Sequence, residues 1–207
     1  MSIEQSRAKE LQSIQRKIIK IDSAFAPAIK NYPPCTFGLE KPKVTHYQSL
    51  VRSVIAQQVS TAAARTISSR LEEKCEGNIT PVKVGALSAK QLQSVGLTGA
   101  KVRTLSELTE ASLSGKINFR KFVYLADEEI VSELVPLFGI GRWTVEMFLI
   151  FHLGRLDVWP VDDLAVRRGW NNLHNNSEPI KPKVLRAAGE PFAGMRSVVA
   201  WYCWRAS

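Results

Sequence analysis

Metal-binding cysteine pairs are missing from this chain. Its three cysteines, Cys35, Cys75 and Cys203, lie far apart and no two have the C-x-x-C spacing, so neither a zinc site nor an iron–sulfur cluster is encoded. An odd number of isolated thiols points to a reducing compartment rather than to a disulfide framework. The three histidines, His46, His152 and His174, do not cluster either, and no metal set follows from them. No apolar run is long enough to span a bilayer. Near the start, Glu4, Lys9, Glu10 and Arg16 stand where a signal peptide would need an apolar stretch. The expectation is a soluble intracellular protein, in the cytoplasm or nucleoid of a bacterium or the nucleus of a eukaryote. Period-two alternation of apolar and polar residues is also lacking, which excludes sheet-based folds.

What remains is an ordinary globular composition with a basic excess. The 207 residues are 45% hydrophobic and 23% charged, enough for one domain of generous size or two small lobes sharing a core. Lysine and arginine outnumber aspartate and glutamate by 28 to 19, a net charge of +9 that favours a polyanionic partner. Helix signals fill the chain. Residues 4–30 carry Leu11, Ile14, Ile18, Ile19 and Ile21 among charges, an amphipathic helix whose basic residues read as a solvated face. After a turn-rich loop at 31–38, Thr45-His-Tyr-Gln48 matches a capping box, and Leu50, Val51, Val54 and Ile55 form a buried stripe. That stripe breaks at Ala56-Gln-Gln-Val-Ser60, where Ser60 can cap a second helix. Ser88 opens a short helix ended by Gly96, a helix follows from Lys101, and Asp127-Glu-Glu-Ile130 places acids at another helix start. The spacing further predicts a helix from about 163 to 170, a polar linker at 171–183, and a last helix from about 193 to 205. The fold class is all-α.

Two segments carry the chemistry. In Leu137-Phe-Gly-Ile-Gly-Arg-Trp-Thr144, Gly139 and Gly141 flank one apolar residue between two apolar helices. Such a turn lets a phosphate approach the backbone, and the helix from Arg142 points its amides outward. A bare G-x-G is more often an ordinary helix–helix turn. About twenty residues on, Trp159-Pro-Val-Asp-Asp163 brings a carboxylate pair to a helix start, where simple capping is the competing account. Trp143 is either an exposed stacking surface or core, and Gln57-Gln58 is either a polar turn or an exposed tip.

Together, Phe138-Gly-Ile-Gly-Arg-Trp-Thr144 and Asp162-Asp163 resemble the helix–hairpin–helix DNA glycosylases, and within them the alkylbase, or 3-methyladenine DNA glycosylase II, type. Leu50-Val-Arg-Ser-Val-Ile-Ala-Gln-Gln-Val-Ser60 and Arg196-Ser-Val-Val-Ala-Trp-Tyr-Cys-Trp204 extend the resemblance over residues 45–205. It implies two helical lobes with a cleft between them, one at about 45–155 including the hairpin and the other at about 1–44 plus 156–207. Larger bacterial members carry an additional N-terminal α/β domain, so this chain looks like the compact form.

The resemblance also assigns roles. Asp163 becomes the catalytic carboxylate, placed to stabilise an electron-poor sugar and steer water to it, with Asp162 as a neighbour or N-cap. Trp143 occupies the position of the Schiff-base lysine of bifunctional relatives; an indole cannot form an imine, so β-lyase chemistry should be absent. Trp143, Trp204 and Trp159 would line the base pocket, with an indole face suited to a cationic alkylpurine. Gln58 would fill the gap left by the extruded nucleotide. Gly139, Ile140, Gly141 and Arg142 would grip phosphate, with Lys101 a further phosphate helper. Ser60 stands where certain eukaryotic relatives have a histidine. Hairpins of this family often bind Na+ or K+ through backbone carbonyls, here those of Val135, Leu137 and Ile140; no other cofactor is implied. The expected partner is double-stranded DNA with alkylated bases, bound by a monomer that leaves an abasic site. A non-catalytic helix–hairpin–helix module and a glycosylase for oxidised or mispaired bases are the alternatives. The buried acid argues against the first. The lack of a Schiff-base lysine or four clustered cysteines argues against the second.

Overall fold

A computed structural model describes residues 3–40 and 42–207. Among them every regular element is helical: α1 (Ile3–Ile21), α2 (Ala26–Asn31), α3 (His46–Ala56), α4 (Thr61–Lys74), α5 (Pro81–Gly85), α6 (Ala89–Ser94), α7 (Gly99–Leu113), α8 (Asp127–Leu134), α9 (Arg142–Met147), α10 (Leu164–His174), α11 (Pro182–Ala188) and α12 (Arg196–Arg205), with short 3-10 turns and one π turn at Phe148–His152. No described helix is long and apolar enough to cross a membrane. The chain divides into two compact units, Pro42–Phe148 and Met1–Lys41 with Leu149–Ser207.

In the unit Pro42–Phe148, the stripe read from the sequence becomes the core. Leu50, Val51, Val54 and Ile55 of α3 are wholly buried with Leu71 of α4, Leu105 and Leu108 of α7, Leu134 of α8 and Val145 of α9. Each such side chain contributes about 1.5–3 kcal/mol on leaving water. The helix starts follow from local capping. Thr45, Ser60, Ser88 and Thr98 each accept a hydrogen bond from the amide three residues on, and Gln91 completes the capping box at Ser88. α5, a single turn begun by Pro81, was not anticipated; five residues are too few to show a period.

The other unit is built on α10 and α12. Gly169 permits their close crossing, since a Cβ there would lie 1.7 Å from the carbonyl oxygen of Cys203. Val198 to Cys203 are all buried, so α12 has no polar face and shows no amphipathic pattern. Phe25 packs edge-on against Trp170, His174 and Phe192. The helix anticipated over 4–30 is broken in two: Asp22 caps a 3-10 turn through the Ala24 amide at 2.9 Å and contacts His174 Nε2 through its other oxygen at 2.7 Å. The segment expected as a linker at 171–183 instead continues α10 to His174 and begins α11 at Pro182.

Candidate active site

In the unit that contains α10, the segment Trp159–Asp163 folds as two consecutive tight turns. The Val161 amide donates to Trp159 O at 2.9 Å and the Asp163 amide to Pro160 O at 3.0 Å. They deliver Asp163 to the N-cap of α10, where Oδ1 accepts from the Val166 amide at 2.9 Å. The cap is therefore Asp163 itself, and Asp162 is an exposed neighbour. Trp204 adds a second donor: its indole Nε1–H reaches the same Oδ1 at 3.1 Å. Two N–H groups on one oxygen fix the plane of a carboxylate that is only 8% exposed. The far end of α12 is anchored too, by the fork of Arg196 on both oxygens of Asp157 at 2.7 Å and by Ser197 on Val158. The position of Trp204, and through it that of Asp163, is thus set by the whole length of α12.

Phe151 was not singled out from the sequence. It is exposed, lies 5.3 Å from the Trp204 ring at a tilt of 32°, and packs edge-on against Phe37. An open aromatic surface thus adjoins the indole that holds Asp163. The signal was the last phenylalanine of the apolar run Met147-Phe-Leu-Ile-Phe151, which cannot be separated from core by sequence. Trp159, by contrast, is not a pocket wall. It is 7% exposed, its indole N–H is spent on Leu185 O at 2.9 Å, and its ring packs on Trp170. Trp201 and Tyr202 are packing residues, as expected.

In the unit Pro42–Phe148, the hairpin joins α8 to α9. Gly139 has φ +74°, and a Cβ there would stand 2.3 Å from Thr104 Oγ1, so both conformation and space demand glycine. Gly141 differs. Its φ of −85° suits any residue, and open space surrounds it; it caps α9 with no side chain, leaving the approach to the helix start clear. Ile140 is buried and anchors the turn. From α7, Glu107 accepts the Phe138 amide at 2.8 Å, and Arg103 both pairs with Glu107 and lies 3.9 Å over the Phe138 ring. The Phe138 amide and the Arg103 hydrogen bond hold the Glu107 carboxyl below its ordinary range.

Two basic residues depart from the phosphate roles read from the sequence. Arg142 is committed to acids: its guanidinium forks onto Glu128 and lies 3.3 Å from Glu146, so its charge is already matched. Lys101 donates from Nζ to the carbonyls of Ile55 and Gln57, both at 2.7 Å, and burial lowers its pKa. Trp143 is 46% exposed, which excludes the core alternative. It lines a cavity of about 600 Å³ together with Ser53, Gln57, Gln58, Gly139 and Met147. Gln58 is exposed at the tip of the α3–α4 turn. Among the described residues, no group of three or more histidine, cysteine or acidic side chains could hold a metal ion.

The family described as HhH-GPD superfamily base excision DNA repair protein matches residues 51–193. A Schizosaccharomyces pombe protein named DNA-3-methyladenine glycosylase 1 is 36% identical over 183 residues, or 86% of this chain and 78% of that protein. The structure of S. pombe 3-methyladenine DNA glycosylase in complex with abasic DNA has a TM-score of 0.81 at 31% identity, covering 93% of this chain and 95% of that one. A DNA-3-methyladenine glycosidase from Bacillus halodurans gives a TM-score of 0.83 at 31% identity, over 93% and 88% of the two chains.

Proposed function

Since the chain belongs to the HhH-GPD superfamily of base excision DNA repair proteins, we propose that it is a monofunctional DNA glycosylase of the 3-methyladenine II type. It hydrolyses the N-glycosidic bond of alkylated purines, 3-methyladenine and 7-methylguanine, in duplex DNA and leaves an abasic site. The observation that carries this reading is Asp163, a nearly buried carboxylate held by the Val166 amide and the Trp204 indole. Bond cleavage leaves an oxocarbenium-like sugar, and a fixed anion stabilises that charge without reorganising as it forms. Alkylation gives the base a positive charge, so it departs with little general-acid help. The enzyme then needs an aromatic surface for a flipped base, an anion for the sugar and a grip on the flanking phosphates. For the first task Trp143 offers an aromatic face in one unit and Trp204 with Phe151 another in the other unit; Asp163 suits the second, and the Gly139–Gly141 backbone the third. Gln58 serves as the wedge.

Trp143 has no amine to form an imine, so strand nicking is not expected. The carbonyls of Val135, Leu137 and Ile140 suit a monovalent cation: they are hard oxygen donors, and Leu137 O, which already accepts the Ile140 amide at 3.1 Å, keeps a second lone pair. Such an ion would add positive charge beside the phosphate-facing turn.

The test is release of free base from methylated duplex DNA by wild type and Asp163→Asn. Asparagine caps helices about as well as aspartate. A residue that only caps α10 would therefore tolerate the change, whereas a catalytic anion would not. We expect base release to fall at least about a hundredfold, on the scale of losing one preorganised electrostatic group, with thermal stability and duplex binding retained. Undiminished release by Asp163→Asn would refute the assignment. Duplex binding with no release by wild type would instead favour a non-catalytic module, and nicking without alkali would refute monofunctionality.

A further inference from the structure

The turn from α3 to α4 is strained in a particular way. Gln57 has φ −57° and ψ 128°, and Gln58 has φ +54°, the φ pattern of a type II turn whose second central residue is ordinarily glycine. A side chain at positive φ is costly and persists where the surroundings over-determine the conformation, as happens at functional sites. Here those surroundings are explicit. Lys101 Nζ, on the first turn of α7, holds Ile55 O in the last turn of α3 and Gln57 O, the carbonyl of the peptide that enters Gln58. A cation there also meets the negative end of the α3 dipole. The Gln57 side chain makes the second tie: its Nε2 donates to Gly139 O and to Thr144 Oγ1, each at 3.1 Å. Further along α7, Thr104 abuts Gly139 and Glu107 receives the Phe138 amide. Lys101, Thr104 and Glu107 recur every three residues, on one side of the helix. One side of α7 thus braces both the tip that carries Gln58 and the hairpin.

We propose that Lys101 and Gln57 are positioning residues that hold the α3–α4 turn in its strained form, presenting Gln58 to the duplex preformed and in fixed register with the phosphate-gripping hairpin. This rests on the reading of Gln58 as the wedge. Neither residue touches DNA in this scheme: the Lys101 ammonium is engaged by two carbonyls and acts only through the backbone of the next residues.

A double-mutant cycle tests it, using single-turnover base release from a duplex carrying one 7-methylguanine, with wild type, Gln58→Ala, Lys101→Met and the double variant. Gln58→Ala should slow release about tenfold, a fraction of the cost of unstacking a base. Lys101→Met should slow it comparably, and the double variant should be no slower than Gln58→Ala alone. The salt dependence of duplex binding should be unchanged by Lys101→Met, since no phosphate contact is lost. Where Lys101→Met fails to fold, Gln57→Leu, which keeps the volume and loses the Nε2 donor, takes its place in the same cycle. Multiplicative effects in the double variant overturn the proposal while leaving the wedge intact. A salt slope reduced by about one identifies Lys101 as a phosphate contact and likewise overturns it. Full activity in Gln58→Ala removes the wedge reading itself, and with it the role given to Lys101.

Discussion

Replacing Gly139 by alanine tests whether the hairpin is rigid in the way its contacts imply. The change has two separable costs. Placing a β-carbon on a residue at φ +74° costs about 1–2 kcal/mol. The same carbon would stand 2.3 Å from Thr104 Oγ1 and 3.4 Å from its Cβ and Cγ2; overpacking of this kind costs about 1–3 kcal/mol. The sum is about 3 kcal/mol. Thr104→Ala removes the offending atoms, leaving only the backbone cost. By itself Thr104→Ala should cost about 1 kcal/mol, mainly its hydrogen bond to Ala100 O at 3.0 Å. The double variant should therefore be about 1–2 kcal/mol more stable than the sum of the single changes predicts. Urea unfolding measures all four proteins, and far-UV circular dichroism must track tryptophan fluorescence for a single transition to be assumed. Gly139→Ala should also weaken duplex binding, because the displaced backbone is the proposed phosphate contact. Additive behaviour, or a single substitution costing under about 0.5 kcal/mol, would refute the reasoning, because it would mean that Thr104 rotates aside and that α7 does not brace the turn.

Two further outcomes follow from the α10–α12 unit. Trp204→Phe keeps an aromatic ring and removes the N–H on Asp163 Oδ1; with the Val166 amide still in place, single-turnover base release should fall roughly tenfold, within the range for a hydrogen bond to a charged group, and an unchanged rate would show that the indole contact is incidental. For Asp157, burial acts to raise the pKa, but the hydrogen bonds and charge of Arg196 and the Gly194 amide overcome it and hold the carboxyl below its ordinary value. The native state then binds fewer protons than the unfolded chain, so this contribution is full above about pH 4, the unfolded value, and is lost as the pH falls further. In Arg196→Met the side-chain hydrogen bonds and charge are lost while the Gly194 amide remains, so the folded pKa rises toward the unfolded value and the stability gap to wild type should narrow as the pH falls below about 4. Both side chains are partly exposed, which limits the pair to about 1 kcal/mol; a gap independent of pH in urea titrations would sink this account.

What could be read from the sequence was what is settled within a few residues. Thr45, Ser60 and Ser88 cap their helices through the amide three positions on, so each start signal is complete in a tetrapeptide. Apolar spacing in α3 likewise named Leu50, Val51, Val54 and Ile55 as core. Failures came where the deciding partner is remote or the element too short. Asp22 ends α1 by a local cap, but its other oxygen meets His174, 152 positions away. Trp159 could be recognised as an aromatic beside an acid pair, yet only Leu185 O and the Trp170 ring make it core. Of two glycines that look alike in the sequence, only Gly139 is conformationally required, and the reason is Thr104, 35 residues upstream in the numbering.

Lys101 shows what such distance does to a functional reading. On a basic chain, a lysine in the first turn of a helix near a phosphate-binding motif is reasonably given to phosphate. In the folded protein the same ammonium faces Ile55 O and Gln57 O. Helix ends explain the exchange: the last turn of α3 leaves carbonyls without intrahelical partners, and a buried or half-buried carbonyl left unsatisfied costs about 1–3 kcal/mol. A flexible ammonium with three donors can answer two of them at once, while still leaving Gln58 exposed at the tip. A phosphate contact by Lys101 would have to compete with both carbonyls and release a turn already strained at Gln58. The two 2.7 Å contacts to Ile55 O and Gln57 O, rather than an open approach to phosphate, are what the folded protein gives this ammonium.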